Sequence, residues 1–151
     1  KNLKNNNQSL KISNWITKIP LIYYPWGLQS AAIRFKNSLQ ENSKCHAIAE
    51  DIIESSHNGV VAWSKPSNIQ PILLQGKNDF EKTIERWQIL KKFFELNNIN
   101  YYEITSIEGN IISKLINLIY LFDYSTIYKS IISQIDPSPV KPIEYIKEHL
   151  K

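Results

Sequence analysis

The stretch IPLIYYPWGLQSAAIRF, Ile19 to Phe35, decides the fold. Its first six residues make a nearly continuous apolar run closed by Pro25 and Gly27, the pattern of a strand buried on both faces. From Leu28 the apolar positions Ala31, Ala32, Phe35 and Leu39 recur every three or four residues, with Arg34, Lys36 and Gln40 between them. That spacing predicts a helix to about Asn42. A fully buried strand that leads straight into a helix is the repeating unit of a parallel sheet covered on both sides.

The rest of the chain continues the alternation. HAIAEDII is a short element, and VVAW, Val60 to Trp63, reads as a strand with a helical turn as the alternative. Ile72 to Leu74 is a brief strand, and Gly76, Asn78 and Asp79 form a turn in which Asp79 is a plausible helix N-cap. Phe80 to Leu96 carries Ile84, Trp87, Leu90 and Phe94 at helical spacing on one expected inward face. A strand follows over Ile99 to Ile104. Gly109 then precedes the longest helix, which should stop near Ile135 because Asp136-Pro137 cannot continue it. A last helix is expected over Val140 to Leu150. The expected class is therefore α/β: a three-layer αβα sandwich around a parallel, doubly wound, flavodoxin-like sheet.

Composition narrows the function. With 151 residues and 42% hydrophobic content, the chain suits one compact domain. KNLKNNNQSLKISN, residues 1–14, reads as a polar linker or disordered tail, leaving 15–151 as the folded part. No signal-peptide pattern opens the chain, and the absence of methionine points to a segment of something longer. The net charge of +4 comes from dispersed lysines and only two arginines, so no nucleic-acid stripe emerges, and a phosphorylated small molecule would suit the charge equally well. The apolar run LINLIYLF, Leu115 to Phe122, is far shorter than a membrane span and reads as a buried helix. A single cysteine, Cys45, excludes an internal disulfide framework and is compatible with the cytoplasm. Glycine-rich dinucleotide and Walker loops, zinc-protease helices and serine-hydrolase elbows are all missing. Cys45, His46 and His57 lack further ligands at metal spacing, so neither metal nor cofactor is expected.

Three blocks in order carry a resemblance: KIPLIYYPWGLQSAAIRFKNSLQENSK, then ESSHNGVVAW, then LINLIYLFDYSTIYKSIISQIDPSPVKPIEYIKEHLK. Together they resemble the C-terminal half of bifunctional phosphoglucose/phosphomannose isomerases, members of the sugar isomerase (SIS) fold group, over about Ile16 to Leu150. The resemblance implies a cytoplasmic enzyme of carbohydrate metabolism, in glycolysis and gluconeogenesis. It would interconvert glucose 6-phosphate or mannose 6-phosphate with fructose 6-phosphate, without a metal, through an enediol. It implies that Glu41, in the EN-K block, shuttles the proton between C1 and C2. It also implies that His57, in the HN block, assists ring opening from the neighbouring subunit of a homodimer, and that Lys147 stands near the ring oxygen or the hydroxyls. Substrate contacts are expected at Arg34, Ser30, Asn58 and Ser138. Two departures qualify it: Gly59 follows Asn58 where the family has glutamate, and the first SIS domain, with its serine/threonine-rich phosphate loop, is absent from these residues.

The residue types fit these roles, and each has a plainer alternative. A carboxylate at a helix C-terminus, as at Glu41, meets an unfavourable dipole and gains little as a structural charge, although solvated glutamates are common there. An imidazole both gives and takes protons near neutrality, while His57 also reads as a loop residue before an Asn-Gly turn. Lys147 in a last helical turn complements the dipole without any substrate. Arg34, two turns before Glu41, is as well placed for a surface ion pair as for orienting that carboxylate. Ser30 opens the helix after the first strand, where free amide groups would suit an anion or an ordinary cap. A non-catalytic sugar-phosphate-binding or dimerisation module is the alternative function.

Overall fold

A computed structural model describes residues 7–150 of the chain. Four strands, β1 (Ile19–Tyr24), β2 (Ile48–Asp51), β3 (Ile69–Gln75) and β4 (Tyr102–Thr105), form one sheet in the order β2-β1-β3-β4. All three pairings are parallel, with Tyr23 opposite Glu50 on one side and Leu73 on the other. Helices cover both faces, as expected: α1 (Gln8–Trp15), α2 (Gln29–Ser43) and α5 (Ile111–Ile132) on one, α3 (Ile52–Ser55) and α4 (Glu81–Leu96) on the other.

The opening stretch shows why. Along β1, alternate side chains enter different cores: Ile22 and Tyr24 join Ala31, Phe35 and Phe122, whereas Leu21 and Tyr23 join Trp87 and Phe94. A strand with no wet face needs an apolar residue at every position. The α2 side chains Ala31, Ala32, Phe35 and Leu39 are all fully buried, and Phe35 stacks on Phe122 with ring centroids 4.2 Å apart.

Several expectations need correction. Residues 8–14 are not a polar tail: α1 packs along α5, with Ile12 and Ile16 buried and Asn7 capping the helix through Leu10 N–H. Its contact face is built on Ser9 and Ser13, whose hydroxyls donate to the Leu121 and Ser125 carbonyls, so a polar sequence makes a dry seam. Residues 1–6 of the expected tail lie outside the described residues. VVAW lies in a 3-10 turn, Gly59–Ser64, in which Trp63 anchors by donating to the Tyr23 hydroxyl. Asp79 does not cap α4, whose N-cap is Phe80; its carboxylate instead accepts from Gly76 N–H and Trp87 Nε1. Ile84 is exposed while Trp87, Leu90 and Phe94 are buried. LINLIYLF buries only one side, through Leu118 and Phe122, and Ile116 and Tyr120 face outward. The last helix, α6 (Lys141–His149), buries nothing against the domain. Among the described residues no helix is long and apolar enough to cross a membrane.

Candidate active site

Because β1 and β2 are parallel, the chain between them runs back along the sheet in α2, from the carboxyl end of β1 to the amino end of β2. Glu41, in the last turn of α2, therefore sits at the amino edge. His57 follows β2 and α3 and sits at the carboxyl edge. The four residues of β2 separate these edges by about 13 Å of strand alone.

At the amino edge the end of α2 is firmly braced. Arg34 Nε and Nη2 donate to the two Asp123 oxygens at 3.1 Å each, Ser38 donates to the same carboxylate, Asn42 to Thr126 Oγ1, and Ser43 to the Thr126 carbonyl. These four α2 residues make a seam with α5, and the Asp123 carboxylate holds the Arg34 guanidinium above its usual range. Arg34 thus hydrogen-bonds Asp123 and not Glu41, although the Glu41 charge also acts on the guanidinium and raises its pKa. Lys44, the C-cap in the left-handed region at φ 52°, sends its Nζ to the carbonyls of Glu41 (2.7 Å), Pro137 (3.2 Å) and Pro139 (2.7 Å). It thereby gathers the Glu41 turn and the Ser138 turn. Asp136 accepts from Ser138 N–H at 2.9 Å; those bonds to Ser138, with Lys44 nearby, hold its carboxyl below the usual aspartate range. The Glu41 carboxylate is exposed and has no hydrogen-bond partner among the described residues.

Lys147 is on α6, about 9 Å along the axis from Lys141, and is exposed. Among the described residues it makes no hydrogen bond or ion pair with Glu41. Ser30 is exposed in the first turn of α2, at the carboxyl edge.

At that edge, the His57 N–H donates to Glu54 O at 3.0 Å and Val61 N–H to Asn58 O at 3.1 Å, so a turn presents the His57 and Asn58 side chains to solvent. Beneath the turn, burial pushes the Tyr23 hydroxyl up to about 12, against the Trp63 hydrogen bond and helped by the Glu50 charge. A groove of about 560 Å³ opens beside it, floored by Tyr23 and lined by Ser55, Ser56, Lys82 and Arg86. A second hollow of about 620 Å³ runs along Trp63 to Ser67 and Asn97 to Asn100. Neither takes in Glu41 or Lys147. Lys44, Asp136 and Glu50 are the site neighbours that spacing alone did not single out; Lys44 lies in the EN-K block, but two of its three carbonyl partners come from one distant turn. No group of three or more His, Cys, Asp or Glu among the described residues could hold a metal ion.

The fold is an α/β domain with helices on both faces of a four-stranded parallel sheet. Residues 5–150 match the family described as bacterial phospho-glucose isomerase C-terminal SIS domain, and the chain belongs to that family. It is 31% identical to a bifunctional phosphoglucose/phosphomannose isomerase of Caldicellulosiruptor bescii, over 97% of this chain and 44% of the relative. It is also 31% identical to the protein of the same description in Aquifex aeolicus, over 99% and 50%. The chain thus spans about half the length of the curated relatives it matches. Among solved structures, a glucose-6-phosphate isomerase-like protein from Thermus thermophilus superimposes with a TM-score of 0.67 at 13% identity, over 95% of this chain and 47% of that one. A tagatose-6-phosphate ketose/aldose isomerase from Escherichia coli gives 0.64 at 11% identity, over 85% and 40%. At these identities the structures establish the shared fold.

Proposed function

We propose that this chain is the C-terminal half of a cytoplasmic bifunctional phosphoglucose/phosphomannose isomerase that acts as a homodimer. It interconverts glucose 6-phosphate or mannose 6-phosphate with fructose 6-phosphate by acid/base proton transfer through an enediol. Glu41 takes the proton from one of C1 and C2 and returns it to the other. His57 of the partner subunit assists ring opening. Lys147 supports the ring oxygen or hydroxyls, and Ser30, Asn58 and Ser138 contribute substrate contacts, while the phosphate is gripped by a preceding SIS domain. Arg34 serves this site through Asp123, by fixing α2.

The observation that carries the reading is the state of Glu41: an exposed carboxylate that makes no hydrogen bond among the described residues, on a helix end tied down by side chains of Asn42, Ser43 and Lys44. A base that must reach two adjacent carbons needs a fixed backbone and free oxygens. The opposite placement of His57 supports the two-subunit arrangement, since one chain keeps the two groups on different edges of its sheet. The exposed apolar residues Ile112, Ile116, Ile127 and Ile131 of α5, with Ile143 and Ile146 of α6, give such an assembly surface to bury.

Glu41→Gln in the longest natural chain should lower isomerase turnover by about a hundredfold or more while leaving the thermal midpoint in place. Unchanged turnover would refute the role given to Glu41. A non-catalytic sugar-phosphate-binding or dimerisation module is the second reading, favoured by Gly59, which removes a carboxylate beside His57. Binding of fructose 6-phosphate without conversion by the wild-type chain would establish it.

A further inference from the structure

The groove beside Tyr23 is graded along α4. Its lining passes from Lys82, Glu85 and Arg86 to Ile89, Leu90 and Phe93, so the helix turns from charged to apolar over about 10 Å between Arg86 and Phe93. Ile89 is 63% exposed there. The volume of about 560 Å³ lies within the range of small-molecule sites, roughly 300–1,000 Å³. Most polar groups of the lining are already engaged: Lys82 Nζ donates to Glu85 at 2.7 Å, and the Ser55 and Ser56 hydroxyls both donate to the Ile52 carbonyl. Two donors are not. Arg86 is half-buried and makes no hydrogen bond or ion pair among the described residues, although its charge acts on Glu85. The Tyr23 hydroxyl accepts from Trp63 Nε1 at 2.9 Å, but its own proton meets no acceptor among the described residues, in a side chain only 1% exposed. Burial pushes that hydroxyl up to about 12, so it keeps the proton near neutrality; Glu50 acts on it by charge and not by a hydrogen bond.

We infer that this groove binds a small carboxylate whose apolar body carries an acceptor oxygen, with the carboxylate on Arg86, the body along Ile89, Leu90 and Phe93, and the oxygen on the Tyr23 hydroxyl. Lys82 and Arg86 against Glu85 leave one positive charge in the lining, which a single carboxylate balances, and a guanidinium meets a carboxylate with two parallel hydrogen bonds. Tyr23 packs on Phe94 with ring centroids 6.5 Å apart, toward the apolar end, so its donor addresses the body rather than the head. A buried hydroxyl proton without an acceptor is unfavourable, and an occupant that accepts it relieves that cost. Covering Ile89 adds apolar burial. The inference does not rest on the isomerase reading, and the groove does not take in Glu41.

The test is calorimetric titration of the longest natural chain with 3-benzoylpropionate, which sets a carboxylate, a carbonyl and a phenyl ring in that order. Saturable binding with a Kd below about 1 mM is expected. Arg86→Gln breaks no hydrogen bond seen in the chain, so it should leave the melting temperature in place while weakening binding about tenfold or more. The neutral 3-benzoylpropionamide should bind wild type about tenfold more weakly or worse, because it keeps the shape without the charge. 4-Phenylbutyrate, which lacks the carbonyl, should bind wild type about fivefold more weakly, and the two acids should bind alike to Tyr23→Phe. That variant also removes the acceptor of Trp63; should it fail to fold, the two acids on wild type decide the role of Tyr23. No saturable binding below about 10 mM, undiminished affinity in Arg86→Gln, or equal affinity for the acid and its amide would overturn the inference. Equal affinity of wild type for 3-benzoylpropionate and 4-phenylbutyrate, or a preference between them that survives in folded Tyr23→Phe, would overturn it too.

Discussion

Glu103 shows how a single carboxylate joins layers in this domain. It stands on β4, accepts from Lys91 Nζ of α4, and accepts from Gln75 Nε2 of β3 at 2.8 Å. Burial alone would raise its pKa, but the bonds from Lys91 and Gln75 outweigh that and hold the carboxyl below the ordinary glutamate range. The folded group therefore titrates lower than the unfolded one. Its contribution to stability is whole above the unfolded value of about 4.3 and fades as pH falls through the depressed folded value. Glu103→Gln should flatten that part of the acid limb in a plot of urea midpoint against pH and leave the slope near neutrality unchanged. An acid limb identical to wild type would show that the pair contributes nothing measurable, as many exposed pairs do.

The helices divide into those the sequence announces and those it hides. α2 and α4 were legible because large apolar residues recur at helical spacing, and Ala31, Phe35, Trp87 and Phe94 are buried where that spacing puts them. α1 was not, because its buried face mixes Ile12 with Ser9 and Ser13, whose burial is favourable only with the α5 carbonyls opposite. Asp79 was misread for a similar reason: its carboxylate closes a loop onto Gly76 and Trp87, a partner eight residues on that no local turn rule reveals. At the site, the Glu41 and His57 blocks were legible by resemblance, whereas Lys44 became visible only once the Pro137 and Pro139 carbonyls were seen to converge on it. Lys44→Met should free the end of α2 and the Ser138 turn together. It should cost about 1 kcal/mol in urea unfolding and, through the displaced Glu41, lower kcat about tenfold. Full activity with the same loss of stability would show that the brace serves the fold only.

For the molecule as a whole, the parallel sheet and its two covers could be read from one stretch, Ile19 to Phe35, because a strand buried on both faces admits only this layering. The relation between the site groups could not, since it follows from which edge each loop occupies. α2 delivers Glu41 to the amino edge and β2 carries the chain to His57 at the carboxyl edge. The account needs a second subunit to bring a histidine to each glutamate. A two-fold dimer built from one Glu41→Gln subunit and one His57→Asn subunit would then contain one doubly damaged site and one intact site. The direct test is to mix the two inactive full-length variants under conditions that let subunits exchange, and to measure conversion of fructose 6-phosphate. Recovery of about a quarter of wild-type turnover, from the half of the dimers that are mixed, is the predicted result. No recovery above the separate variants, with exchange verified, would contradict it, because sites assembled within one chain gain nothing from mixing.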